Sequence, residues 1–287
     1  MNDHTPDAGA PLMRLGALDV EAYLDDPDRK QQFVTPMFDV IAPRYDAFTR
    51  LFSFGMDARW KREALAAAIA AAKLRAPLRA LDLACGTGDF AVALAVALPS
   101  VRVTGVDASP KMIQQAEQRL RSAALPSASR RSASALPASH RSASLTTDVL
   151  DRISVRVGDM MALDATDASV DIVTVGYGVR NVPDAAVAVR EIARVLRPGG
   201  TLVTLDFYRP EFSVWRVLLL GYLTVAGNLV GFLWHRDPVV YGYISRSIDH
   251  FLSWQAFSAL LEREGFVVNR VVRHLGGGIA LHVATRR

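Results

Sequence analysis

The sequence predicts an α/β protein built on a doubly wound, mostly parallel sheet of seven strands that ends in an antiparallel edge pair. Three observations predict it. Short apolar runs alternate strictly with helical patterns between residues 79 and 206, and strands joined by crossover helices run parallel. The first run, "LDLACGTGDFA" from Leu81 to Ala91, breaks into small residues around Gly86 and Gly88, the kind of strand-to-helix turn at which such sheets bind ligands. The last two runs are joined only by the glycine-rich "LGGGIA", too short for a crossover, so they pair antiparallel.

In chain order, residues 1–30 hold Asp3, Asp7, Asp19, Glu21, Asp25, Asp26 and Asp28 with no long apolar core. They read as a flexible acidic leader and not as a secretory signal. Residues 31–287 then form a single domain. Its strands are expected at 79–84, 102–106, 153–157, 170–175, 201–206, 266–272 and 279–284, where apolar and β-branched residues cluster between turn signals. Helices are expected at 88–98, at 110–120 with Ser109 as cap and Pro110 in first position, from about Asp184 to Leu196, and near 253–264.

Two stretches interrupt this pattern. Residues 121–150 read as a low-complexity insertion, because 121–147 are built of Ser, Ala, Arg, Leu and Pro with "RSAS" twice and no acid, a composition that cannot build a packed core. The basic balance is local to it: without Arg121, Arg130, Arg131 and Arg141 the chain carries 29 basic against 29 acidic residues. That reduces the case for a nucleic-acid surface to one segment. Within 211–236, Val217 to Trp234 run 18 residues without a charge, just inside spanning length. Thr224, Asn228 and three glycines weigh against a span, which leaves an apolar lid or membrane-facing helix pair, or a buried core helix.

Gly86, Gly88 and Ala91 fit a dinucleotide fingerprint, and Asp107, at the end of the second strand, can accept the hydroxyls of a ribose. NAD and S-adenosylmethionine (SAM) satisfy that pattern equally. Asp82 and Asp89 flank the turn; they would repel a pyrophosphate and favour an ammonium and a sulfonium, although Asp89 also suits the first turn of a helix. Asp159 after the third strand can accept from an adenine amino group while Met160 packs on the ring, and "VGYGVRNVPD" after the fourth faces the same crevice. Cys85, the only cysteine, excludes an intramolecular disulfide and a cysteine-based zinc site. The spacing of His, Asp and Glu suggests no metal.

Together these residues resemble the class I SAM-dependent methyltransferases and, more narrowly, the ubiquinone/menaquinone biosynthesis C-methyltransferase family. The narrow resemblance lies in "YDAFTRLFSFGMDARWKR" (45–62), "LDLACGTGD" (81–89), "GVRNVPD" (178–184), "RVLRPGG" (194–200) and "YGYISRSI" (241–248). It implies SAM as cofactor, held at Thr87, Asp107, Asp159 and Met160, with Asp82, Gly86, Gly88, Ala108 and Gly176 lining the same turns. Three positions depart from the family's pattern: Gly176 for a serine, Thr49 for an asparagine, and Asp206 with Tyr208 for E-x-S.

The implied acceptor is a polyprenylated quinol, because a ring carbon attacks a methyl only when a neighbouring hydroxyl is close to ionised. Arg180 would stabilise the oxyanion, Asn181 would orient the hydroxyl, and Tyr45, Tyr177 and Tyr243 would supply aromatic walls or hydroxyls. His250 reads as a surface residue. A membrane-borne acceptor implies a cytoplasmic protein held peripherally at the membrane surface through the 211–236 lid; a homodimer is compatible with it, and no nucleic-acid partner is expected. The competing readings are a SAM methyltransferase for another apolar phenol or sterol, an NAD-binding oxidoreductase, and an RNA-binding protein using the arginine-rich segment.

Overall fold

The structure, a computed structural model, describes residues 27–72, 78–124, 146–235 and 239–287. The leader up to residue 26 and residues 125–145 of the insertion lie outside them. Helices α1 (Pro27–Ile41), α2 (Tyr45–Phe52) and α3 (Asp57–Ala72) precede the first strand, β1 (Leu78–Leu83). Strand and helix then alternate through α4 (Asp89–Ala97), β2 (Val101–Asp107), α5 (Pro110–Ala124), the short α6 (Thr147–Leu150), β3 (Ile153–Val157), β4 (Val170–Gly176), α7 (Ala185–Val195) and β5 (Leu196–Phe207). Helices α8 (Ser213–His235), α9 (Val239–Asp249) and α10 (Trp254–Arg263) lead to β6 (Phe266–His274) and β7 (Ile279–Arg286).

The seven strands lie in the order β3-β2-β1-β4-β5-β7-β6. All neighbours are parallel except β7, which is antiparallel to both β5 and β6. The chain moves outward from β1 to β2 and β3, then returns to β4 on its other side. The carboxyl ends of β1 and β4 therefore flank the crevice where such sheets take ligands. Alternate residues feed two cores: Leu81, Leu83, Val173, Val175 and Leu202 face one, Ala80, Ile172, Val203 and Leu205 the other. Strand β4 is buried on both faces, which explains its mostly apolar sequence, VDIVTVG.

The element boundaries differ from the sequence expectation where local geometry intervenes. Strand β5 begins at Leu196, paired with Val170, and skips to Thr201 opposite Ile172. Gly200 sits in that irregular stretch because a Cβ would lie 2.8 Å from the carbonyl of Arg197. Helix α5 continues to Ala124, and α6 occupies Thr147–Leu150, so both edges of the expected 121–150 insertion are helical. Helix α1 begins at Pro27, inside the expected leader.

A helical cap covers the carboxyl edge of the sheet. Val34, Met37 and Ile41 of α1 pack with Met112 of α5, Val230 of α8 and Tyr243 of α9. The expected lid is one long helix, α8, packed against α9: Leu219 and Leu223 are buried with Ile248. Its other side exposes Val217, Leu218, Val225, Leu229, Phe232 and Leu233. Among the described residues α8 is the one helix long and apolar enough to cross a membrane, and only 22% of its most apolar window is buried.

Candidate active site

Two cavities meet beneath the cap. The first, about 680 Å³ including space open to solvent, lies over the ends of β1, β2 and β4 and is roofed by Val34, Thr35 and Phe38 of α1. Gly86, Asp107, Ala108, Asp159, Met160 and Gly176 all line it, as the sequence suggested. Asp107 accepts from the backbone N–H groups of Gly86 at 2.8 Å and Ser109 at 2.9 Å, so the glycine turn fixes the carboxylate in the wall. Burial raises its pKa. Asp159 accepts from Met161 N at 2.8 Å. Gly176 is explained by packing: a Cβ there would meet the Phe90 ring at 2.7 Å, so a serine would need that ring to move.

Other expected cofactor residues stand apart from the cavity wall. Asp82 is buried under the turn, where its oxygens accept from Ala91 N at 3.0 Å and Thr174 Oγ1 at 2.9 Å; it ties β1 to β4 and α4. Thr87 is buried, and its carbonyl accepts from Arg119 at 3.1 Å. Gly88, with φ of +86°, lets the chain turn into α4. Asp89 pairs with Lys61 at 3.0 Å and Arg119 at 3.4 Å. The argument that Asp82 and Asp89 favour a sulfonium over a pyrophosphate therefore fails, because one is used structurally and the other is neutralised. Burial pushes the Cys85 thiol up, which keeps it protonated.

The second cavity, about 630 Å³, is mostly apolar: Met37, Phe38, Ile41, Phe52, Trp60, Phe207, Leu223 and Ile244 line it. Its polar groups are Thr49, Ser53, Asp57, Tyr177, Arg180 and Tyr243. Arg180 Nη1 donates to Asp206 Oδ1 at 2.8 Å and to the carbonyl of Tyr177 at 2.9 Å. Asp206 also accepts from the backbone of Arg180 and Phe207 at 3.2 and 2.7 Å. The guanidinium lies 5.3 Å from the Phe207 ring centre. Tyr177 and Phe38 line both cavities, and Asn181 lines the first, donating to Tyr177 O at 3.0 Å and accepting from Tyr243 Oη at 3.3 Å. "GYGVRN" thus forms the partition, with Tyr177 held at φ of +59°, a conformation that bulky residues adopt only where the surroundings impose it.

Tyr45 opens α2, but its side chain lies outside the described residues. Burial raises the Tyr243 hydroxyl above the usual tyrosine range, so it stays protonated and serves as a hydrogen-bonding hydroxyl. His250 is exposed in the turn that follows α9. Among the described residues no three His, Cys, Asp or Glu side chains converge as metal ligands. Four further residues belong to the site without a motif that marks their role: Asp206, which stands out in the sequence only as a departure from the family's pattern; Asp57, held by Ser53 Oγ at 2.9 Å; Phe38, part of a 34/37/38/41 helical stripe; and Lys30, which falls inside the expected leader. Its Nζ donates to the carbonyl of Arg180 at 2.9 Å.

A sequence profile of the ubiE/COQ5 methyltransferase family matches residues 27–147 and 134–286. The chain belongs to the ubiE/COQ5 methyltransferase family. A demethylmenaquinone methyltransferase from Lactiplantibacillus plantarum is 32% identical over 254 residues, covering 88% of this chain and 95% of its own. A ubiquinone/menaquinone biosynthesis C-methyltransferase from Syntrophotalea carbinolica is 35% identical over 257 residues, covering 88% and 92%. A SAM-dependent methyltransferase from Aquifex aeolicus shares the fold at a TM-score of 0.51 and 15% identity, covering 86% and 97%. This ubiE/COQ5 family member is a SAM-dependent methyltransferase. The first cavity fits the cofactor: it offers a fixed carboxylate at Asp107, another at Asp159 and a thioether at Met160 in one wall.

Proposed function

We propose that the acceptor is a polyprenylated quinol, methylated on a ring carbon as a step in menaquinone or ubiquinone biosynthesis. The observation that carries it is a buried Arg180–Asp206 pair at the wall of a mostly apolar chamber that abuts the cofactor cleft. An apolar ring with one ionisable oxygen matches that lining, and the names of the two relatives point to the same class. Asp107 holds the ribose hydroxyls and Asp159 with Met160 the adenine, while Gly86 and Ala108 leave room for the backbone to approach. The cofactor supplies a methyl on a sulfonium, a good electrophile for an in-line attack.

The chain's own residues do three things. Tyr177 and Phe38, shared by both cavities, set the attacking carbon against the partition between them. Arg180 stabilises the negative charge on the ring oxygen, and its pairing with Asp206 fixes its orientation. Asn181 and Tyr243, hydrogen-bonded to each other, are placed to orient a hydroxyl. The cap excludes water, so these dipoles act in a low dielectric. The exposed apolar face of α8 supports peripheral docking on a membrane, from which the isoprenoid tail is drawn, and a cytoplasmic location follows from that reading.

The test is methyl transfer from labelled SAM to demethylmenaquinol and to a polyprenyl methoxybenzoquinol, side by side under reducing conditions with detergent. Label in either product establishes the quinol reading, and the ratio assigns the acceptor. SAM binding without incorporation into either would reject it in favour of another apolar phenol.

A further inference from the structure

The pairing of Arg180 with Asp206 raises a difficulty for an oxyanion site, since the carboxylate offsets the guanidinium before any acceptor arrives. A second cation resolves it. Lys30, in the first turn of α1, reaches across the cap and its ammonium donates to the carbonyl of Arg180 at 2.9 Å. It is partly buried, and the charged groups facing it are Arg180 beside it and Asp206 behind, with the hydroxyl of Tyr243 from α9 in the same cluster. Two cations and one carboxylate leave the cluster with one positive charge in excess.

We propose that Lys30 is a positioning residue for the reaction: from outside the cavity lining it clamps the Arg180 backbone and leaves the Arg180–Asp206 cluster with a net positive charge that an ionised ring hydroxyl completes, while Asp57, the carboxylate that lines the chamber, is paired with Lys61 at 4.0 Å. The proposal rests on the quinol reading for its acceptor. Two further observations support it. Burial, then repulsion from Arg180, lower the Lys30 pKa to about 8, against the attraction of Asp206; a cation kept at such a place without a ligand is a cost, and function is where such costs concentrate. Its bond also joins α1, whose Phe38 lines both cavities, to the segment that carries Arg180 and Asn181. One side chain therefore couples closure of the cap to the charge of the chamber.

The test compares wild type with Lys30→Met, which keeps the aliphatic stem, and Lys30→Arg, which keeps the charge at all working pH values. SAM binding, measured on each, reports folding. In Lys30→Met at neutral pH, kcat for methyl transfer should fall about tenfold or more, the worth of a pK unit or more of differential charge interaction, with KM for SAM little changed. Lys30→Arg should recover most of it. The ratio of wild-type to Lys30→Arg rates should also drop as the pH passes about 8, where the wild-type ammonium loses its proton. A second readout needs no methyl transfer. The aryl-oxide anion of 2-hydroxy-1,4-naphthoquinone should bind wild type about tenfold more tightly than its O-methyl ether, and Lys30→Met should lose that preference. Lys30→Met turning over near the wild-type rate, or keeping the preference for the anion, would overturn the proposal. A wild-type protein that methylates neither quinol yet shows the Lys30-dependent preference would reject the acceptor and sustain the role of Lys30.

Discussion

Arg180 and Asp206 show how a single buried pair constrains both folding and chemistry. Asp206 is fully buried and Arg180 nearly so, and removing one partner of such a pair leaves an uncompensated charge. Asp206→Ala is therefore expected to destabilise the fold by about 3–5 kcal/mol in equilibrium urea unfolding. Arg180→Lys keeps a charge but loses the planar guanidinium whose Nη1 bonds both Asp206 and the carbonyl of Tyr177, so most turnover should disappear while SAM binding persists. Near-normal labelled methyl transfer by that variant would remove Arg180 from the mechanism. Asp82 makes a different demand. Burial raises its pKa to about 7, opposed by the bonds from Thr174 and Ala91. Between about pH 4 and 7 the folded state then binds a proton that the unfolded chain has released, and stability falls as the pH rises across that window. Asp82→Asn removes the titration, so its stability relative to wild type should improve from about pH 5 to about pH 8. A difference independent of pH would mean that the carboxylate ionises at no cost.

At the scale of elements, the two cavities differ in how readable they were. The cofactor side was legible because strand ends announce themselves: a period of two, a glycine turn, and an acid at the end of β2 put Asp107, Asp159 and Gly86 at one sheet edge from the sequence alone. Asp82 belongs to the same motif and was misplaced, since spacing gives the strand and not which side of the turn a carboxylate serves. The acceptor chamber was legible in its polar groups and not in its walls: Tyr177, Arg180 and Tyr243 were expected on the acceptor side and line it. Its apolar walls come from α1, α2, α3, β5, α8 and α9, and each of those pieces alone reads as an ordinary amphipathic segment. Lys30 was hidden among acids, and only tertiary contact gives it a role. Helix α8 was legible as an apolar stretch, and the structure separates its faces: Leu219 and Leu223 are buried, while Leu218, Val225 and Leu229 point outward. Changing those three to glutamate should leave the fold and detergent-phase transfer intact, because all three are largely exposed and belong to no buried cluster among the described residues. Flotation with quinol-loaded anionic vesicles should be lost, since each apolar contact with lipid is replaced by a charge repelled from the surface. Flotation that survives would place the membrane contact elsewhere, and a change in sedimentation instead would identify this face as a contact between copies of the chain.

For the whole molecule, the outstanding feature is the segment between α5 and α6. Among the described residues, the lining of both cavities comes from the chain on its two sides. Helices α5 and α6 touch, so a short linker can join Ala124 to Thr146 without moving β2 or β3. The cost of a long surface insertion grows only slowly with its length, and shortening one releases little. Residues 125–145 nevertheless hold three arginines and no acid, so removing them lowers the formal net charge from +4 to +1. Replacing 125–145 by a few Gly and Ser residues should therefore leave SAM binding and detergent-phase methyl transfer within about twofold, as the chamber charges lie elsewhere. Binding to anionic vesicles at low salt should weaken if the segment adds electrostatic attraction, by roughly 1 kcal/mol for each arginine near the surface, and the difference should vanish at high salt. Loss of SAM binding on the same replacement would contradict the separation drawn here, and would make the arginine-rich segment part of the catalytic domain instead of an appendage to it.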